Sequence, residues 1–131
     1  MNTFPVELEN KPHEAQLAKE VWESLGCKEP LTRKFIEVLF IAARVFDYKQ
    51  ANYGSGNIAK FGETGVLIRM NDKLERLVNL WKAGKEPVDE TKNDSWGDLL
   101  NYGAIGLMTR YGVWPGISEV SVKAEEDPVL F

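Results

Sequence analysis

Acidic side chains recur every four residues in an otherwise apolar stretch near the end of the chain, "NDSWGDLLNYGAIGL" over 93–107. Drawn as a helix at roughly 100° per residue, this stretch places Asp94, Asp98 and Asn101 on one face, with Glu90 one turn before them. A carboxylate in a dry core is costly unless it is paired or bound to a metal ion. The row therefore predicts a cation site or a set of ion pairs.

Two further groups of acids could join this row. Asp72 and Glu75 are neighbours on the preceding helix, and Glu37 stands alone in the apolar run "FIEVLFIAA". Mg²⁺ prefers carboxylate and amide oxygens, and helix bundles hold such sites between facing helices. We therefore expect Mg²⁺ to bind ligands drawn from three helices: Asp72, Glu90, Asp94, Asp98 and Glu37. The alternative is that the acids lie on solvated faces and pair with basic residues, as Glu37 would with Arg44.

Basic side chains accompany the acids on the same helix. Arg69, Lys73 and Arg76 share one flank, where they could bind phosphate oxygens or form a surface stripe paired with acids. A metal site beside a cationic flank predicts a phosphorylated ligand such as a nucleotide. The loop "YGSGN" matches neither the Walker pattern nor G-x-G-x-x-G. With one histidine, His13, and no activated serine or cysteine, nucleophilic catalysis has little support.

Composition excludes several classes of protein. At 131 residues, with 44% hydrophobic and 27% charged residues, the chain suits one globular domain. A net charge of -4 argues against binding to a nucleic-acid backbone, and the lone Cys27 excludes a disulfide framework. No apolar run is long enough for a membrane span, and "MNTFPVELEN" lacks the layout of a signal peptide. We expect a cytoplasmic protein.

Apolar periodicity predicts the elements that must position these groups. An irregular arm over 1–12 precedes a helical domain over 13–112, and a loop or tail covers 113–131. Helices are expected over 13–26, 31–52, 66–81 and 89–110, with a glycine-rich loop over 53–65. The prediction is an all-α bundle of four to five helices. The third helix carries one apolar row, and the amount of apolar surface on the helices as a whole also suggests a homodimer. That row comprises Leu67, Met70, Leu74, Leu77 and Trp81.

These motifs resemble a family of small phage and bacterial proteins, the nucleotide modification associated domain type 1. Its members share a Tyr-Gly pair, an Arg-x-x-Asp-Lys-x-x-Arg-Leu helix and a helix reading Glu-x-x-x-Asp-x-x-x-Asp-x-x-Asn-Tyr. Here these are Tyr53-Gly54 and the segments 69–77 and 90–102, and the resemblance covers roughly residues 35 to 108. Asn52 stands where the family often has aspartate.

The arrangement is also remotely similar to the MazG-type all-α nucleotide pyrophosphohydrolases, which carry two acidic pairs on separate helices. Asp72 with Glu75 would form the first pair, and Asp94 with Asp98 the second, at a spacing of four rather than three. The resemblance implies a Mg²⁺-dependent nucleoside triphosphate pyrophosphohydrolase-like protein acting on common or modified nucleotides in a bacterial or phage-infected cytoplasm. The alternatives are a non-catalytic nucleotide-binding accessory of nucleotide modification, a nucleotide-sequestering protein, or a purely structural fold. The catalytic residues would be Asp72, Glu75, Asp94 and Asp98. The nucleotide would be bound by Arg69, Lys73, Arg76, Tyr53 and Asn101.

Overall fold

The structure, a computed structural model, describes residues 3–84 and 92–117. Four helices follow one another there: α1 (Pro12–Ser24), α2 (Leu31–Tyr53), α3 (Gly56–Ala83) and α4 (Lys92–Arg110). No strand occurs in those two ranges, which confirms the predicted all-α class. Within the same ranges, no helix has the length and apolar character that crossing a membrane requires.

The chain divides into two compact units, Met1–Tyr48 and Lys49–Phe131, and α2 runs across the boundary. In the first unit, Arg44 of α2 donates a short hydrogen bond to the carboxylate of Glu14 on α1. Ala18 and Ile36 are buried, whereas Leu31, at the start of α2, is exposed. Phe35 and Val38, further along this largely apolar helix, are exposed as well, so α2 is not buried on every side.

Local signals set both ends of α1. Pro12 occupies the first turn, where its missing N–H costs no helical hydrogen bond. Gly26 adopts a left-handed conformation with φ of 74°. The N–H of Gly26 donates to the carbonyl of Glu23 at 3.0 Å, and that of Cys27 donates to the carbonyl of Trp22 at 3.1 Å. This pair of bonds is a Schellman motif, so the predicted stop at Gly26 is confirmed.

The start of α3 differs from the sequence-based expectation. A loop was expected over 53–65, but the helix already begins at Gly56, so that prediction is wrong from this residue onward. The helix is broken at Gly62, whose φ of 61° and ψ of -151° are not helical. This region of backbone conformation is essentially restricted to glycine, because a Cβ atom would clash with the chain there. Gly62 therefore marks a kink within a helix, where the sequence predicted a loop.

We expect Gly62→Ala to lower the free energy of unfolding by about 2 kcal/mol, because alanine must strain the backbone at this φ. A Cβ built on Gly62 meets no packed neighbour within 4 Å, so the loss would come from strain within the local backbone and not from a clash with other parts of the fold. Gly56→Ala is the matched control, since Gly56 is equally uncrowded and has no positive φ. Urea unfolding followed by circular dichroism measures both, and equal stability of the two variants would contradict the prediction.

In the second unit, α3 and α4 pack side by side in antiparallel directions. Lys73 of α3 pairs with Asp98 of α4 at 3.0 Å, while Glu63, earlier on α3, pairs with Arg110, later on α4, at 3.3 Å. The buried apolar residues of the second unit include Val66, Leu77 and Ile105. The predicted apolar row of α3 is only partly buried, because Leu67, Leu74 and Trp81 lie exposed to solvent.

Candidate functional site

The row of polar residues on α4 lies on the face that is turned toward α3. Asp98 is buried, and Asp94 and Asn101, one turn to either side of it, are half-buried. Thr109, further along the same face, is also buried. The sequence pattern therefore located a helical face on which polar side chains are withdrawn from water, and each of them needs a polar or charged partner.

Asp98 lies between two lysine side chains. Its Oδ1 accepts a hydrogen bond from Nζ of Lys49 at 2.5 Å, and its Oδ2 lies 3.0 Å from Nζ of Lys73. The Asp98 side chain is 9% exposed, against 44% for Lys49 and 24% for Lys73. All three residues belong to the second unit, with Lys49 in the part of α2 that lies within it. We call this group the lysine–aspartate centre; it carries two positive charges for one negative charge.

The cationic flank of α3 meets this row at Lys73, which pairs with Asp98. Arg69, Lys73 and Arg76 are all half-buried. Because the helices are antiparallel and Lys73 is level with Asp98, Arg76 is level with Asp94, and Arg69 with Asn101. The sequence predicts the basic flank and the acidic row separately. In the structure, the contact between Lys73 and Asp98 brings the two rows together between α3 and α4. Lys73, Arg76, Asp94 and Asn101 each make further polar or charged interactions.

Of the remaining candidate acids, the three that the structure describes are not part of the lysine–aspartate centre. Asp72 and Glu75 are exposed on α3. Glu37 is buried in the first unit, where its carboxylate pairs with Lys34, one turn earlier on α2, at 3.0 Å. Arg44, the partner that the sequence suggested for Glu37, instead bonds to Glu14 on α1. Glu90 lies outside the described residues.

The described acids do not fit a magnesium ion. Over 3–84 and 92–117, no group of three or more His, Cys, Asp or Glu side chains could hold a metal. Both oxygens of Asp98 are already bound by ammonium groups. Two unit charges about 4 Å apart repel by about 4 kcal/mol at an effective dielectric constant of about 20, and a divalent ion doubles this. The donor set favours an anion at this place instead.

Two aromatic residues, Tyr53 and Trp96, offer rings on which a nucleobase could stack, and their positions differ. Tyr53 is exposed at the end of α2, four residues after Lys49, so the two share a face of that helix. Trp96 is also exposed, but it lies two residues before Asp98 and therefore on the opposite side of α4. Of the two, it is Tyr53 that shares a helical face with a lysine of the lysine–aspartate centre.

Lys49 is the one member of the centre that sequence reasoning missed. The available signal was its place in "DYKQANYG", the polar end of an apolar helix and one turn before Tyr53. Spacing along α2 gave no reason to pair it with an acid 49 positions later. Such a contact depends on how the end of α2 meets α4, which the pattern of either helix alone does not determine.

No protein-family model, curated protein or solved structure matches this chain. The resemblance to the nucleotide modification family thus stays a prediction from the motifs. What the fold and the site define is an all-α protein with a buried carboxylate held by two partly exposed lysines.

Proposed function

We propose that this chain binds a nucleotide through its phosphate groups at the lysine–aspartate centre. The observation that carries the proposal is the pair of partly exposed ammonium groups, those of Lys49 and Lys73, that meet on the single buried carboxylate of Asp98. Lysine binds phosphate as a compact point charge, and arginine does so in a bidentate manner. Arg69 and Arg76 extend the same positive flank along α3.

Two residues on the helices that form the lysine–aspartate centre can contact the base and the sugar of a nucleotide. Tyr53 offers an exposed ring one turn from Lys49, and stacking of a base on an aromatic ring contributes about 1–3 kcal/mol. Asn101, one turn beyond Asp98, supplies an amide that can hydrogen-bond to a sugar or base. We assign the protein to nucleotide metabolism as a non-catalytic accessory or nucleotide-sequestering protein, in the bacterial or phage-infected cytoplasm that the resemblance implies.

A MazG-like nucleoside triphosphate pyrophosphohydrolase is the second candidate. It is favoured by the placement of Asp94 and Asp98 on the face of α4 that meets the basic flank of α3. The resemblance assigns this activity Mg²⁺, with Glu90 among the remaining ligands. The exposure of Asp72 and Glu75, and the binding of both Asp98 oxygens by lysines, favour the non-catalytic candidate.

We further propose that the protein forms a homodimer through the exposed apolar row of α3. Leu67, Leu74 and Trp81 repeat every seven residues and lie exposed on one side of the helix. A heptad repeat keeps apolar residues facing a partner helix along the whole contact. A two-fold pair of identical rows is the simplest closed arrangement that covers them.

Isothermal titration of the four common deoxynucleoside triphosphates tests the main proposal. We expect binding, and a loss of about tenfold in affinity for Lys73→Gln, equivalent to about 1.4 kcal/mol for one ammonium–phosphate contact. Lys82→Gln removes the same charge from an exposed position in the last turn of α3 and should leave affinity unchanged.

The same samples distinguish the two candidate functions. Phosphorus NMR of the protein with triphosphate and Mg²⁺ should show the substrate unchanged for an accessory, and monophosphate plus pyrophosphate for a hydrolase. Failure of every triphosphate to bind, with the protein folded by circular dichroism, would refute nucleotide binding altogether.

A further inference from the structure

We propose that the lysine–aspartate centre binds the metal-free form of a nucleoside diphosphate or triphosphate. In this arrangement the ammonium groups of Lys49 and Lys73 neutralise the phosphate oxygens, a role that the sequence assigned to Mg²⁺. The inference rests on the proposed function and specifies which ionic form of the ligand that function uses.

The first step is the occupancy of the buried carboxylate. Oδ1 of Asp98 is 2.5 Å from Nζ of Lys49, and Oδ2 is 3.0 Å from Nζ of Lys73. The two lysines come from different helices, α2 and α3, so the ammonium groups approach Asp98 from separate elements. A divalent cation at either oxygen would have to displace a lysine or share the oxygen with it against charge repulsion.

The second step is which groups an incoming ligand can reach. The side chain of Asp98 is nearly covered, while Lys49 and Lys73 retain substantial exposure. A phosphate approaching from water therefore contacts ammonium groups, and Asp98 acts behind them as an internal counter-anion that holds them in place. Complexation by Mg²⁺ removes negative charge from the phosphates, and the attraction that this site offers falls accordingly.

Equilibrium dialysis of the full chain against labelled inorganic pyrophosphate tests the inference. We expect binding in excess EDTA to be at least fivefold tighter than binding in excess Mg²⁺ at the same ionic strength. Equal or tighter binding in Mg²⁺ would overturn the metal-free assignment while leaving phosphate binding intact. Binding in neither medium would instead be a failure of the proposed function, so the two failures are distinguishable.

The variant Asp98→Asn distinguishes a counter-anion of the lysines from a metal ligand, because the two roles predict opposite changes in pyrophosphate binding. If the lysines bind the ligand, removing the competing negative charge should tighten pyrophosphate binding in EDTA several-fold. If Asp98 held a metal, the same change should abolish binding in Mg²⁺ and leave no binding in EDTA. Asp47→Asn, at an exposed aspartate of α2, is the matched control.

A measurement on the unmodified protein keeps the test decisive if Asp98→Asn fails to fold. Mn²⁺, which is paramagnetic and binds as Mg²⁺ does to carboxylates, is titrated into the protein and followed by electron paramagnetic resonance. We expect the signal of free Mn²⁺ to remain undiminished at equimolar protein in the absence of phosphate. Stoichiometric loss of that signal on addition of the unmodified protein would overturn the proposal.

Discussion

Replacing Trp114 by alanine is expected to lower the free energy of unfolding by about 4 kcal/mol, the usual cost of deleting a buried large aromatic side chain. The residue is only 3% exposed, although it lies beyond the last helix. Its indole N–H donates a hydrogen bond of 3.0 Å to the carbonyl of Ser55, immediately before α3. The alanine variant would lose both the buried ring and this link between the end of α4 and the start of α3.

The backbone after α4 is shaped to deliver Trp114 to that place. Gly112 has a left-handed φ of 71°. Its N–H donates to the carbonyl of Thr109, and the N–H of Val113 donates to the carbonyl of Met108. This second Schellman motif ends the helix and reverses the chain. At Gly116, with φ of 87°, a Cβ atom would lie 3.0 Å from the Cβ of Ala59 on α3. The segment therefore approaches the start of α3 closely at Trp114 and at Gly116.

Urea unfolding monitored by circular dichroism at 222 nm measures the effect. Trp96→Ala is the control, because Trp96 is exposed and its removal should change stability by no more than about 0.5 kcal/mol. Trp114→Phe keeps most of the ring and loses the hydrogen bond, so its loss should be intermediate. If Trp114→Ala proved as stable as Trp96→Ala, the anchoring of this segment to α3 would be wrong.

Helix positions were predictable where the signals are local. Pro12 and Gly26 bracket α1, and Gly84, in a left-handed conformation, ends α3 as expected. Pro12 fixes its own backbone conformation, and Gly26 and Gly84 each follow the end of an apolar helical pattern, so these signals lie next to one another in the sequence. The same holds for the row on α4, because helical periodicity alone places Asp94, Asp98 and Asn101 on one face.

The start of α3 was not predictable on the same grounds. Several glycines in "YGSGNIAKFGETG" are typical of a loop, yet Gly56 and Gly65 lie in helix and only Gly62 breaks it. A glycine tolerates helical and non-helical conformations alike, so its identity does not reveal which one is used. The decision is made by the burial of neighbours such as Ile58 and Val66, which is a tertiary effect.

The candidate site was predictable in its parts but not in its pairing. Sequence spacing identified the acidic row of α4 and the basic flank of α3, and both lie at the helix–helix seam. It did not show that Asp98 meets two lysines, because the register of antiparallel helices is set by packing and loop geometry. It also grouped Asp72 and Glu75 with the site, although both are exposed on α3.

Asp98→Ala is expected to lower the free energy of unfolding by about 3 kcal/mol. Removing one member of a buried ion pair usually costs about 3–5 kcal/mol of stability. Both lysines are partly exposed, which places this variant at the lower end of that range. The cost arises because Lys49 and Lys73 lose their common counter-charge while they remain close to each other. Thermal and urea unfolding in low salt measure the loss.

Two comparisons show whether that loss belongs to the lysine–aspartate centre. Asp47→Ala removes an exposed carboxylate of α2 and should change stability by no more than about 0.5 kcal/mol. In a double-mutant cycle, Asp98→Ala and Lys73→Ala should show a coupling energy of at least about 1 kcal/mol, because the side chains are in direct contact. Additive losses would mean that Asp98 stabilises the fold by some route other than its lysines. The pairing of Asp98 with two lysines, on which the proposed phosphate site rests, would then not be what stabilises this part of the fold.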